Sequence, residues 1–443
     1  MSGPRRNNGR HQPVGERLAR SGLATVSPLR RGAGLTAPVA GGTAGRGHPR
    51  SGRRRERPPA TPAQGPVLVL SVVLGLLCVF GLVMVLSASA AEAQSDYGNP
   101  WYQFQRQVMW LGLGTAALLV ASRVRLDIIR RLALPMVAIT IGLLVLVLLP
   151  FAGQTVNGSS RWLALGPVTL QPSELAKLAV LVFAADLLAR RSNWMDDASV
   201  TLRPVLAVFC TMALLIMLQP NLGTTVLLFA IVMSVLWMAG VKRRYLGVLV
   251  GVAVATVAGL AAAAPYRMRR LTAFVDPWAD PLNTGYQTLQ SQAALANGGV
   301  TGLGLGQGRA KFGFLPEGHT DFIFSTIGEE FGLFGSLFVI GLFAVLAALG
   351  AGVAMRTTDR FSMLVAVGVT TWISLQALVN LGAAVGVLPI TGVPLPLVSS
   401  GGSSLIVTMA ACGILLNIAR HCPPATGGRR AGPQARRRSA APA

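Results

Sequence analysis

PVLVLSVVLGLLCVFGLVMVLSA, residues 66–88, decides the fold class. It carries no Asp, Glu, Lys or Arg, and about 20 apolar residues in a helix suffice to cross a bilayer. Inside hydrocarbon the backbone must bond to itself, so a lone run of this kind is a helix. Nine further apolar runs follow, near 105–122, 132–151, 173–189, 203–218, 221–240, 245–264, 324–352, 362–387 and 402–419. The chain is 52% hydrophobic and 12% charged, against about 25% charged in soluble domains. The sequence therefore predicts an all-α, polytopic membrane protein with about ten transmembrane helices. The run at 173–189 is short and carries charge, so it is expected inside the bundle. Because 66–88 is long enough to span, it reads as a span and not as a cleaved secretory leader.

One continuous membrane domain is expected over 66–422. Residues 1–65 and 423–443 are rich in Gly, Pro and Arg and poor in apolar residues, a composition that predicts disorder. These basic tails read as solvated, topogenic cytoplasmic segments. Contact with anionic lipid or a cytosolic partner is the alternative.

The net charge is +23, with 36 Arg against three Lys, a ratio that reads as coding bias. Arginine abundance alone therefore proves no phosphate binding, and the distribution argues against nucleic acid. Basic residues favour cytoplasmic loops. With ten spans and both termini cytoplasmic, 31 of the 39 Lys and Arg fall inside. The eight exceptions are Arg106, Arg161, Lys177, Arg267, Arg269, Arg270, Arg309 and Lys311. The four Cys and four His show neither a disulfide framework nor metal-ligand spacing.

Two external segments concentrate polar residues. The first, 152–172, holds Arg161 and Trp162 and runs into Ser173-Glu174-Leu175-Ala176-Lys177. Glu174 and Lys177 are three apart and share a helix face, so they can pair. The pair is either structural or, as ionisable groups facing a bundle interior, functional.

The second is the long stretch 265–323 before the eighth span, far longer than a simple helix connection. It opens with Arg267, Arg269 and Arg270, which suit either phosphate oxygens or lipid headgroups. Gly298–Gly308 contains GxGxG spacing but no surrounding βαβ unit, so flexible backbone around a bound ligand or a re-entrant turn fits better than a dinucleotide site. Asp321 stands where the loop becomes a span, with Glu329 and Glu330 deeper. Carboxylates entering a membrane need partners or a task, and the exceptional cations are the natural partners. The last external loop, Leu388–Ser404, combines three prolines with a Ser/Gly run that can offer an anion site at a helix N-terminus.

These loops resemble the SEDS family (shape, elongation, division and sporulation), whose members include FtsW, RodA and SpoVE. The matching pieces are Asn157-Gly158 through Arg161-Trp162, Gln171-Pro172-Ser173-Glu174 with Lys177, Gln219-Pro220-Asn221-Leu222-Gly223, and Gly285-Tyr286-Gln287 with Gln290-Ser291. They continue through Leu315-Pro316-Glu317 with His319-Thr320-Asp321-Phe322, Glu329-Glu330, and the proline loop with Gly401-Gly402-Ser403. The long basic N-terminal tail and the His319–Phe322 stretch favour a division-type over an elongation-type member. One departure is Thr391, where division-type members can carry lysine.

The resemblance implies a peptidoglycan glycosyltransferase that polymerises lipid II outside the plasma membrane, at the division septum for a division-type member. It implies a class B penicillin-binding protein, a transpeptidase, as partner, alongside other divisome proteins. Asp321 matches the family's essential aspartate. Transfer from a pyrophosphate needs an anion clamp and a base for the attacking hydroxyl. Arg161, Lys177, Arg267, Arg269 and Arg270 can supply the clamp, and Asp321 the base. Alternatively, Asp321 holds a divalent cation, Mg or Mn. Trp162, Glu174, Gln287, Glu317, His319, Ser399 and Gly401 complete the candidate substrate-binding set. Three alternatives stay open on sequence: an elongation-type polymerase, a lipid II flippase, and a non-catalytic division scaffold. Ionisable groups concentrated at the outer end favour an outer-face enzyme over a two-sided transporter.

Overall fold

In the computed structural model every apolar run of the sequence is helical. It describes residues 64–422 apart from 151–152, 157–158, 167, 193–197 and 263–264. The two tails expected to be disordered lie outside the described residues. The helices are α1 (Gln64–Tyr97), α2 (Tyr102–Ala121), α3 (Leu126–Arg131), α4 (Ala133–Leu148), α5 (Pro172–Arg190), α6 (Ala198–Met217), α7 (Leu222–Ala239) and α8 (Arg243–Ala262). They continue as α9 (Pro265–Val275), α10 (Tyr286–Gly298), α11 (Ile323–Arg356), α12 (Arg360–Ala384) and α13 (Gly402–His421). All but α3, α9 and α10 occupy the ten expected runs.

Seven of these helices are long and apolar enough to cross a membrane by themselves, and α4 is a shorter apolar helix. The other two owe their places to neighbours. α2 packs along α13 and α1, and α5 is sheathed by α4, α7 and α12. α5 is buried along most of its length, including Glu174 and Lys177, as its charge required. α8 is the opposite case, with nearly all of its side chains left uncovered or only partly covered by protein.

One end of the bundle is basic. There Asp186 of α5 pairs with Arg130 and, one turn on, with Arg190. Arg360 donates to the carbonyl of Ala239 at the end of α7, and Asn417 to those of Ala121 and Val124 beyond α2. These bonds satisfy helix-terminal carbonyls that would otherwise be unpaired.

The opposite end carries the polar loops, and here the structure adds an element the all-helical reading lacked. Residues 153–170 form a three-stranded antiparallel sheet: β1 (Gly153–Val156), β2 (Ser159–Leu165) and β3 (Val168–Leu170), in that order. Its register pairs Val156 with Ser159 and Leu163 with Leu170. Thr, Val, Trp and Leu suit strands, and a segment lying on a bundle mouth must pair its backbone groups. The chain then passes directly from β3 into α5. A break inside α11 completes this end: Gly332 has φ 64° and ψ −156°, which splits off a half-helix, Ile323–Phe331, from the rest.

Candidate active site

Trp372, Gln376 and Asn380 are spaced by four along α12 and share one face. That face organises the polar end. Lys177 Nζ lies 2.9 Å from Glu174 Oε2 and donates to Gln376 Oε1 at 2.9 Å. Trp372 donates its ring N–H to the same oxygen, and the Lys177 ammonium sits 4.8 Å from the centroid of the Trp372 ring. Gln376 in turn donates to the main-chain oxygen of Pro394 in the proline loop. One turn on, Asn380 donates to the main-chain oxygens of Asp321 and Val393 at 2.7 and 2.9 Å. The buried ion pair is thus joined by one ladder of amides to the proline loop and to the residue at the mouth of α11.

The proline loop grips the same segment from its other side. Ser399 donates its hydroxyl to the oxygen of Thr320 at 2.6 Å and accepts from the N–H of Leu395. Ser400 N–H donates to the oxygen of His319. Main-chain oxygens of three consecutive residues, His319, Thr320 and Asp321, are therefore each held from α12 or the proline loop. The Asp321 carboxylate borders a small pocket shared with Phe322, Asn380, Ala383 and Ile390–Val393. A Cβ added to Gly392 would stand 3.6 Å from Asp321 Oδ2. Thr391, where a division-type lysine was noted, lines this pocket.

His319 is buried, and its Nδ1 lies 3.1 Å from Glu92 Oε2 near the end of α1. Glu317 adopts a left-handed φ of 59°, closing a turn in which its oxygen accepts from the N–H of Thr320 and Phe322. Its exposed carboxylate accepts from the Thr320 hydroxyl. Gly401 caps α13 in an extended conformation, and the next turn's Ser403 accepts from Gln171 N–H just ahead of α5.

Arg161 donates to the main-chain oxygens of Gln219 and Pro220, both at 2.8 Å, at the link between α6 and α7. Trp162 is half-buried in β2, and Gln287 is half-buried in the first turn of α10. Arg269 is exposed on α9, while the side chains of Arg267 and Arg270 on the same helix lie outside the described residues. Asp280 accepts from the side chain of Asn283 and from the N–H and hydroxyl of Thr284. Those bonds, Asn283's foremost, hold its carboxyl below the usual aspartate range and fix the turn into α10.

The structure thus joins Glu174 and Lys177, and packs His319, Asp321 and Ser399 together around the proline loop. The sequence reading passed over Gln376 and Asn380. Their signal was two amides four apart in an otherwise apolar span, a pattern that marks an interior polar face. Among the described residues no three His, Cys, Asp or Glu side chains come together as metal ligands. This donor set does not assemble a protein cage for a divalent cation.

The FtsW/RodA/SpoVE family, described as cell cycle proteins, matches residues 68–423. The chain belongs to that family. Relatives within it include the probable peptidoglycan glycosyltransferase FtsW of Nitrosococcus halophilus, 45% identical over 76% of this chain and 88% of the relative. The protein of the same name from Mycobacterium tuberculosis is 41% identical over 82% of this chain and 70% of its own length. Stage V sporulation protein E of Bacillus subtilis is 37% identical over 82% and 99%. Among solved structures, a chain of a peptidoglycan synthase complex that coordinates polymerization and crosslinking superposes with TM-score 0.65. It is 31% identical, with 81% of this chain and 98% of that one covered. The rod shape determining protein RodA of Thermus thermophilus gives TM-score 0.58 at 29% identity, over 81% and 97%. The fold expected for an FtsW/RodA/SpoVE chain is the fold found here.

Proposed function

We propose that this FtsW/RodA/SpoVE protein is a peptidoglycan glycosyltransferase that polymerises lipid II at the outer face of the plasma membrane, with Asp321 as general base. The observation that carries the reading is the Asp321 carboxylate at the mouth of a span, its main chain bonded to the buried amide of Asn380. A carboxylate that must accept a proton from a precisely placed hydroxyl needs a fixed main chain.

In the step proposed, the acceptor sugar hydroxyl attacks the anomeric carbon of the lipid-linked sugar. Asp321 takes the hydroxyl proton as the new glycosidic C–O bond forms. The bond from the anomeric carbon to the pyrophosphate oxygen breaks, and undecaprenyl pyrophosphate leaves with the electron pair. A single displacement inverts the anomeric centre. The cations of α9 face the charge problem of the leaving group, for which Arg forks suit phosphate oxygens.

The basic bundle end is taken as cytoplasmic, which puts Asp321, the proline loop and α9 outside. The partner is a class B penicillin-binding protein, and the division-type relatives favour a role at the septum. Purified protein supplied with lipid II should build glycan strands, more strongly with a cognate transpeptidase of that class. Lipid II crossing vesicle membranes with no strand made under either condition would replace the polymerase reading with a flippase.

A further inference from the structure

We propose that Glu330 is a positioning residue for Asp321, acting through the half-helix that joins them; this rests on Asp321 being the catalytic carboxylate. Breaking a helix at the buried Gly332 leaves N–H and C=O groups that need partners outside the helix. The glycine-rich stretch supplies their partners. Leu303 and Gly304 donate to the main-chain oxygens of Glu329 and Glu330 at 3.0 and 2.9 Å, and Leu333 donates back to Gly299 at 3.0 Å. The approach is so close that a Cβ on Gly302 would stand 2.2 Å from the oxygen of Glu330. The glycines thus serve backbone contact with the broken helix.

The two carboxylates at the break divide the work. Glu329 accepts from the N–H groups of Arg309 and Ala310 at 3.0 and 3.1 Å, which shapes the loop itself. Glu330 instead joins separate elements. Its carboxylate accepts from Ser87 of α1 at 2.6 and 2.7 Å and pairs with Lys311 Nζ at 3.4 Å. Lys311 also donates to the oxygen of Gly306 at 2.5 Å. Glu330 is 1% exposed. Burying an ion pair seldom adds stability over apolar packing, and what it can add is one specified arrangement.

The half-helix is the lever. It begins two residues after Asp321 and ends one residue after Glu330. At 1.5 Å per residue the half-helix between them is about 13 Å long. The Asp321 end is held by Asn380 and, through Thr320, by Ser399. The Glu330 clasp fixes the other end against α1 and the loop, and so sets the axial height and rotation of the first turn. Misplacing a reacting group by about 1 Å can cost on the order of 10²-fold in rate.

The test is a cycle of Glu330→Gln and Asp321→Asn, with polymerisation rates normalised to partner-bound protein. Alone, Glu330→Gln should lower kcat by about tenfold or more with KM little changed. In the Asp321→Asn background it should lower the residual rate no further, because position matters only while the carboxylate is there. Ser87→Ala, which cuts the tie to α1 and leaves the ion pair, should give a smaller drop of the same kind and serves if Glu330→Gln does not insert. Equal losses in both backgrounds would make the clasp purely structural and overturn the proposal, as would parental kcat in both clasp variants. If Asp321→Asn itself keeps parental activity, the catalytic reading fails first.

Discussion

The side-chain amide of Asn380 donates to the main-chain oxygen of Asp321 at 2.7 Å, from a residue that is 2% exposed. The same nitrogen reaches Val393, so a single amide fixes the mouth of α11 against the proline loop.

Asn380→Leu should therefore cost both stability and rate. One buried and one part-buried carbonyl lose their donor, at about 1–3 kcal/mol per unsatisfied buried group. Polymerisation per folded molecule should fall about tenfold or more as the Asp321 main chain is released. Asn380→Asp keeps the shape but, once ionised, cannot donate, so it should not rescue. Thermal unfolding in detergent beside a lipid II polymerisation assay checks both; parental rate in Asn380→Leu would remove Asn380 from the positioning apparatus.

The Glu174–Lys177 pair makes a separable prediction. Both side chains are almost wholly buried. Lys177→Met leaves a buried carboxylate without its cation, a change that typically costs about 3–5 kcal/mol. Adding Glu174→Gln should recover most of that loss. A single variant as stable as the parent would mean that another group compensates Glu174.

Much of this arrangement was legible in the sequence, and the limits are physical. Apolar length announced the spans, and the i,i+3 spacing announced the Glu174–Lys177 pair, because both are local properties. Lys177's partner Gln376 is 199 residues away, a distance no periodicity bridges. The sheet at 153–170 was missed because short strands punctuated by Gly, Asn and Ser look like turns until their pairing is seen. Arg161 stood out as a cation on the wrong side, yet its guanidinium is engaged by carbonyls at the α6–α7 link. Glu329 was expected to find a cation and instead accepts two main-chain N–H groups, while Glu330 does find Lys311.

The α9 cations distinguish substrate from lipid. Arg267→Ala with Arg270→Ala should raise the apparent KM for lipid II by tenfold or more, since each charge-assisted phosphate bond is worth about 1.5–3 kcal/mol. Folding should change little. An unchanged KM would make these residues headgroup anchors.

Orientation is checked by reporters placed within 277–311 and at either tail. With 31 of the 39 Lys and Arg assigned to the cytoplasm, the loop reporter should respond outside and the tail reporters inside. A cytoplasmic signal from the loop would invert the topology and remove the external chemistry with it.

The most direct measurement is glycan polymerisation by Asp321→Asn, purified with its partner transpeptidase and supplied with lipid II. Asparagine preserves the shape and hydrogen-bonding reach of the side chain but cannot accept the proton as a carboxylate does. Loss of a general base costs about 10²–10⁴ in rate. The variant should insert and bind its partner like the parent while strand synthesis falls by at least that order. Near-parental strand synthesis by well-inserted Asp321→Asn would contradict the assignment of Asp321 as the catalytic base.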